Sequence, residues 1–478
     1  MRKEKLQLNK LPILTISLTT LILGFGLFFW QCESQKAPLT QNAIPLKKYP
    51  GSIYDPPPIR SFPQDANNIQ FWINTMNQPQ IRAHGWDMWE SINTLTPDGS
   101  PLWETWYSGH ELFEMGANAK ENRAGFNDYE DPAQFNHFKD STIAIPIDAA
   151  ARPYSFNRYS YSLANVIWEK GYNQTAELDK IRQDFINNNT PIIDRKINTS
   201  VDSIDPYSFA LKPIFQFING DKPTALAYWG GHTPQTTNNL SLPIPDTWQQ
   251  CVVVDPTNQL KPGTTTTMDC NGTKGEWEVV SLEDYYFQKI TAAQVQAYNA
   301  RFPNVGKNNR NDTTSQIEMM KTGNYALLVG MHVTGKEITN WTWQTYWWSP
   351  QADNPPYGMD RPSTIPSPWN NYVMRATYSM MIPPNNREGE AIVSFNPYIE
   401  TRLNFPFTPN GKDTLQCFGA YSNCLSCHSM AVYPIEGMQY LSKGYVEQSD
   451  SFLFNNHIKT DFLWSFVTRM KENKGADK

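Results

Sequence analysis

The chain carries no surplus of positive charge: 40 lysines and arginines stand against 46 acidic residues, a net charge of −6. Without that surplus, and without any run of Lys and Arg, it has nothing to neutralise phosphates with, which argues against a nucleic-acid partner. No G-x-S-x-G, no H-E-x-x-H and no glycine-rich phosphate loop occurs, so the signatures of α/β-hydrolases, zinc peptidases and nucleotide-binding enzymes are missing. No internal repeat is present. Cysteine is scarce, six in all, and only one C-x-x-C stands among them. A zinc ribbon needs a second such pair, and an iron–sulfur centre needs more thiolates than one pair supplies.

What is present is length and aromatic mass. At 478 residues, with 40% hydrophobic and 13% aromatic side chains, the chain can bury a large core and fill two or three domains. Sixteen tryptophans need a use in a core, a cofactor pocket or a binding face. The first ten residues lean basic, and "LPILTISLTTLILGFGLFFW" (Leu11 to Trp30) is twenty residues without a charge, enough to span a bilayer. Residues 1–31 therefore read as an export signal or a membrane anchor, with the basic head inside and the rest outside. Cys32 follows at once, where a bacterial lipoprotein carries its lipid, although Trp30 and Gln31 are not the small residues such a signal prefers. Lipoprotein, uncleaved helix and ordinary cleavage all leave the body periplasmic or on the outer face of a bacterial membrane. Residues 32–63 hold seven prolines and little apolar periodicity, which makes an extended tether.

The body, residues 64–410, begins with helical periodicity. In "NNIQFWINTMNQ", Ile69, Trp72, Ile73 and Met76 recur at three and four, and "SYSLANVIWEKGY" and "AELDKIRQDFINNN" are further helices stopped by Gly171 and by asparagines. From Ser208 onward, "SFALKPIFQFI", "ALAYWGG", "CVVVD", "WEVVSL", "YALLVGMHVTG" and "NWTWQTYWW" are strand-like runs separated by Gly, Pro, Asn and Asp. Two apart, Trp341 and Trp343 are expected on one face of a strand. Thr291 with Gln294 forms a capping-box pattern before "VQAYNARF". The fold class is α+β: a helical N-terminal third, an antiparallel β-rich middle and a small, mainly helical C-terminal module over 411–478.

The six cysteines stand at 32, 251, 270, 417, 424 and 427. Cys251 and Cys270 enclose a polar, turn-rich loop, and a disulfide there would contribute roughly 3 kcal/mol on loop-entropy grounds. Cys424, Cys427 and His428 spell C-x-x-C-H in "YSNCLSCHSMA". Two thiols one helical turn apart can each add across a vinyl group of haem, and a histidine directly after the second reaches the iron. In an exported chain this resembles the attachment site of c-type cytochromes, the large monohaem members of the cytochrome c family in particular; "GMHVTGKEITNWTWQTYWW", "FNPYIE" and "KTDFLWSF" have the look of that group. The resemblance implies covalent haem c, with Cys424 and Cys427 as thioether anchors and His428 as axial iron ligand. It extends no further along the chain.

The opposite ligand is left open. Of the methionines after the motif, Met430 and Met438 are too near it; Met470 has a workable separation and is a candidate, although it lies in a polar tail. Met380 and Met381, in "ATYSMMIPP", and His332, in "LLVGMHVTG", are candidates from the body, each with an ordinary core role as alternative. His457, flanked by asparagines, reads as exposed. Cys417 is left over as a free, buried thiol.

Two functions remain: electron transfer with a redox partner protein, or a haem-dependent redox enzyme with its site in residues 64–400 or at an open distal position. A blander third reading makes the large domain a ligand-binding module with haem as its sensor. The absence of a second C-x-x-C-H counts against a di-haem peroxidase. His84, Asp87, Glu90, Glu104 and His110 gather in one aromatic stretch, but at no spacing with an established metal or acid–base meaning.

Overall fold

The run "YALLVGMHVTGK" is apolar on both alternating faces, the pattern of a strand covered from both sides. In the computed structural model it is the centre of the main sheet. The structure describes residues 46–125, 127–130, 153–199, 205–230, 250–270, 272–301, 320–384, 386–400, 404–407, 415–418, 423–435 and 444–468. The apolar Leu11–Trp30 stretch, Cys32 and Met470 lie outside them. The described residues all belong to one compact unit, Pro45–Lys478.

Eight strands build the main sheet: β1 (Tyr107–Ser108), β2 (Pro153–Ser155), β3 (Arg158–Tyr159), β4 (Asp205–Ile218), β5 (Phe287–Lys289), β6 (Tyr325–Lys336), β7 (Thr342–Trp348) and β8 (Tyr372–Thr377). Their order is β8-β7-β6-β4-β3-β1, with β2 on β4 and β5 on β6, and every pairing is antiparallel. The chain is thus α+β, with helices and a mainly antiparallel set of sheets in one body; the pairing of Gln250–Val254 with Thr273–Val280 is parallel. A second sheet of four strands orders Thr224–Tyr228, Gln250–Val254, Thr273–Val280 and Thr265–Cys270. A disulfide joins Cys251 to Cys270 across it.

Two N-terminal helices start at side-chain caps. Asp65 accepts from Asn67 N ahead of α1 (Ala66–Asn74), and Asn77 accepts from Gln80 N ahead of α2 (Gln78–Ile92). The capping box is present farther on, where Thr291 N–H donates to the Gln294 side chain and Gln294 N–H to the Thr291 hydroxyl.

Helix α2 lies on the sheet face that carries Gln344, Tyr346 and Met374. Trp89 stacks on Tyr346 at 4.2 Å, and the Tyr346 hydroxyl donates to Gly85 O at 2.5 Å. Gly85 permits this approach, since a Cβ there would stand 3.1 Å from the Met374 methyl. Trp86, Trp89, Trp103, Trp106, Trp341 and Trp347 are all fully buried. Much of the tryptophan content is therefore core, with offset and edge-to-face rings that add about 0.5–1.5 kcal/mol per pair beyond burial.

Trp341 departs from the expected shared face. Its φ of 61° places it in the turn before β7, so alternation begins at Thr342 and only Trp343 rides on the strand. His457 departs too, for it is buried. Its asparagine neighbours stay in solvent, while their carbonyls accept from Arg182 and Arg195 and draw the following strand Ile458–Lys459 into the body.

Candidate functional site

The sheet face opposite α2 is set by alternation. Cross-strand pairs Thr334–Trp343 and His332–Thr345 put Trp343, His332 and Thr345 together, with Lys212 beside His332 and Arg375 beside Thr345. The segment before the short helix Pro397–Glu400 covers part of this face. Asn396 donates to the Thr345 hydroxyl and to Tyr346 O, both at 2.9 Å, and Arg375 donates to Val393 O at 2.8 Å.

Onto the same face comes the motif helix, Cys424–His428. At 100° per residue its Cys424, Cys427 and His428 share one side, while Leu425 and Ser426 take the other. Burial follows that division: Leu425 and Ser426 are buried, and the two thiols and the imidazole remain partly exposed. Asn423 seats the helix in two ways. Its carbonyl oxygen caps Ser426 N at 2.8 Å, and its amide donates to Met380 O at 3.1 Å and Ile392 O at 2.8 Å. Neither cysteine is in a disulfide. Burial pushes the Cys424 thiol far above its ordinary range, and the nearby Glu400 carboxylate adds to the push.

His428 is oriented from its far side. Its Nδ1–H donates to Phe462 O at 2.7 Å, and its ring lies 4.4 Å from the Trp343 ring at a 43° tilt. With the proton fixed on Nδ1, the lone pair is on Nε2, which has no hydrogen-bond partner among the described residues. Burial pulls the imidazole down to about 3, so it stays neutral, the state in which a histidine ligates iron. Two cysteines outside any disulfide and a neutral, tautomer-fixed imidazole on one helix face are the donor set that covalent haem requires. The residues present fit the group.

The proposed opposite ligands fall in different places. His332 lies on the face that receives the motif helix, and its Nε2–H donates to Glu400 at 3.1 Å. Met380 lines a 490 Å³ cleft together with Leu425, the side of the motif helix away from His428. The Met381 sulfur packs against Gly444, 3.2 Å from where a Cβ would stand. None of these three meets His428 through a ring or hydrogen-bond contact, although His332 is near enough to oppose protonation of His428.

The acidic and histidine side chains of the Arg82–Glu114 stretch do not converge. His84, fully buried, donates from Nε2 to Glu337 at 3.1 Å and accepts from the Tyr378 hydroxyl at 2.5 Å. Asp87 and Glu90 both hold Arg60 at 2.6 Å, Glu104 holds Gln288, and His110 faces Glu114. Among the described residues no group of three or more His, Cys, Asp and Glu is placed to hold a bare metal ion. Among them, too, no helix is long and apolar enough to cross a membrane.

Sequence reasoning missed Asn423, Phe462 and the role of Trp343. An asparagine directly before a helical turn is a readable cap signal. A backbone carbonyl acceptor has no residue signature at all. No protein-family model, curated protein or solved structure matches this chain.

Proposed function

We propose that this chain is an exported monohaem c-type cytochrome, with haem bound covalently through Cys424 and Cys427 and with His428 as axial ligand. The observation that carries the reading is the His428 Nδ1–H bond to Phe462 O, which leaves the Nε2 lone pair without a hydrogen-bond partner among the described residues, on the helix face that carries Cys424 and Cys427. Such a bond fixes the ring and raises the basicity of the ligating nitrogen. Haem, when bound, supplies a one-electron ferric–ferrous couple, and the large body positions it for a redox partner protein. The Cys251–Cys270 disulfide supports an oxidising compartment, and the apolar Leu11–Trp30 stretch supports membrane association there. A second reading, a haem-dependent enzyme with an open distal position, is favoured by one observation: His332 is engaged by Glu400, and Met380 and Met381 pack elsewhere.

A haem-stained denaturing gel tests the attachment. The wild-type band should be covalent and should vanish in Cys424→Ser/Cys427→Ser; a band that survives the double change overturns the assignment. The ferrous spectrum then separates the two readings. A low-spin spectrum indifferent to carbon monoxide supports electron transfer, and a high-spin iron that binds it supports catalysis.

A further inference from the structure

The carbonyl that holds His428 belongs to a strained piece of backbone. Asp461 and Phe462 are consecutive non-glycine residues in the left-handed region, with φ of 48° and 69°. Aspartate visits that region more readily than most residues but phenylalanine does not, and two in succession persist only where surrounding contacts impose them. The contacts here converge on one carboxylate. Lys336 Nζ donates to both Asp461 oxygens, at 2.7 and 2.8 Å, and Thr199 donates to Asp461 through its hydroxyl at 2.5 Å and its N–H at 3.3 Å. The pair is buried, with the Lys336 ammonium also donating to Thr339 O and lying over the Trp341 ring at 5.0 Å. Lys336 closes β6, the strand that also carries His332, so the clamp ties the carbonyl to the rigid centre of the sheet.

We infer that Asp461, clamped by Lys336 and Thr199, is a positioning residue: it imposes the left-handed turn that presents Phe462 O to His428 Nδ1, and so selects the Nδ1–H tautomer that leaves Nε2 free for a ligand. The link to haem rests on the function proposed above; the tautomer selection does not. The clamp acts by geometry, and this separates it from a purely electrostatic effect. Asp461→Asn leaves an unpaired positive charge, while Lys336→Met leaves an unpaired negative one. Acting through charge alone, the two would move the reduction potential in opposite directions. Acting through the carbonyl, both weaken the proximal hydrogen bond, withdraw electron density from the iron and move the potential upward.

The test has two arms. In the haem-loaded protein, potentiometric titration should give a higher midpoint than wild type for both Asp461→Asn and Lys336→Met; a lower midpoint in Lys336→Met overturns the inference. In the full chain made haem-free by Cys424→Ala/Cys427→Ala, nitrogen NMR of His428 should show the Nδ1–H tautomer, replaced in both clamp variants by a form protonated at Nε2. Retention of Nδ1–H in folded variants overturns it. Should Lys336→Met not fold, Thr199→Val removes only one bond to the carboxylate and should give the same two changes at smaller size, with no change counting against the clamp. If the wild-type chain takes up no haem, the proposed function fails and the NMR arm still decides the clamp.

Discussion

Asn423 joins two parts of the chain with a single buried amide, and its removal should show as a defined loss of stability. The residue is 2% exposed. Its carbonyl oxygen caps the motif helix at Ser426 N and accepts from the Ser426 hydroxyl at 3.1 Å, while its amide nitrogen bridges Met380 O and Ile392 O. Loss of an N-cap costs about 1 kcal/mol. The part-buried Ile392 carbonyl loses its donor at about 1 kcal/mol, while Met380 O keeps the Ile392 N–H and adds little. Asn423→Ala should therefore destabilise the haem-free chain by about 2 kcal/mol, a sizeable share of the roughly 5–15 kcal/mol typical of folded domains. Asn423→Ser separates the two halves, because serine caps a helix as well as asparagine but is too short to reach the carbonyls. It should lose about 1 kcal/mol, the carbonyl half alone. Urea unfolding followed by tryptophan fluorescence measures both, with the denaturant slope unchanged. A loss below about 0.5 kcal/mol in the alanine variant would refute the claim that this amide seats the motif helix. Full recovery in the serine variant would leave the cap standing and remove the carbonyl bridge.

Two further outcomes are expected. Removing the Cys251–Cys270 bridge, whose cysteines are 19 residues apart, should cost about 3 kcal/mol from loop entropy; a thermal melt unchanged in Cys251→Ser/Cys270→Ser would contradict it. Glu111 gives the pH dependence. Burial pushes its carboxyl up, but Arg123, Arg158 and the Ser108 N–H outweigh burial and hold it below the ordinary 4.5. A depressed carboxyl contributes stability above the unfolded value that disappears as pH falls through the folded one. Glu111→Gln should thus be less stable than wild type at pH 7 by about 2–4 kcal/mol, with the gap closing below pH ~4; a gap constant down to pH 3 would refute it.

What the sequence made legible was local. The C-x-x-C-H spacing defines one helix face by geometry alone, and the strand runs "YALLVGMHVTG" and "NWTWQTYWW" carry their own β-branched and aromatic signal. Prediction went astray where a turn intervened: Trp341 was paired with Trp343 by counting, but its left-handed φ ends the alternation. His457 looked exposed from its neighbours, yet burial there is decided by strand pairing with Val432–Tyr433 and contact with residues 192–197. The acceptor for His428 was beyond reach for a different reason. Phe462 serves through its backbone, its conformation is imposed by Lys336 over a hundred residues earlier, and neither fact has a composition or a period.

The two anchors of the motif helix differ in when they become available. The Asn423 amide partners Met380 and Ile392 precede the motif, so they are synthesised before Cys424 is. Phe462 follows His428 by 34 residues, and the strand Ile458–Lys459 that brings it back is equally late. A chain emerging from its N-terminus therefore passes through an interval in which the motif helix is seated, both thiols are open and the histidine still turns freely. Arrival of Phe462 ends that interval by locking the ring. The order of the chain itself thus sets a window in which the motif helix is seated and the His428 ring is not, and the Phe462 contact that fixes the ring shuts it.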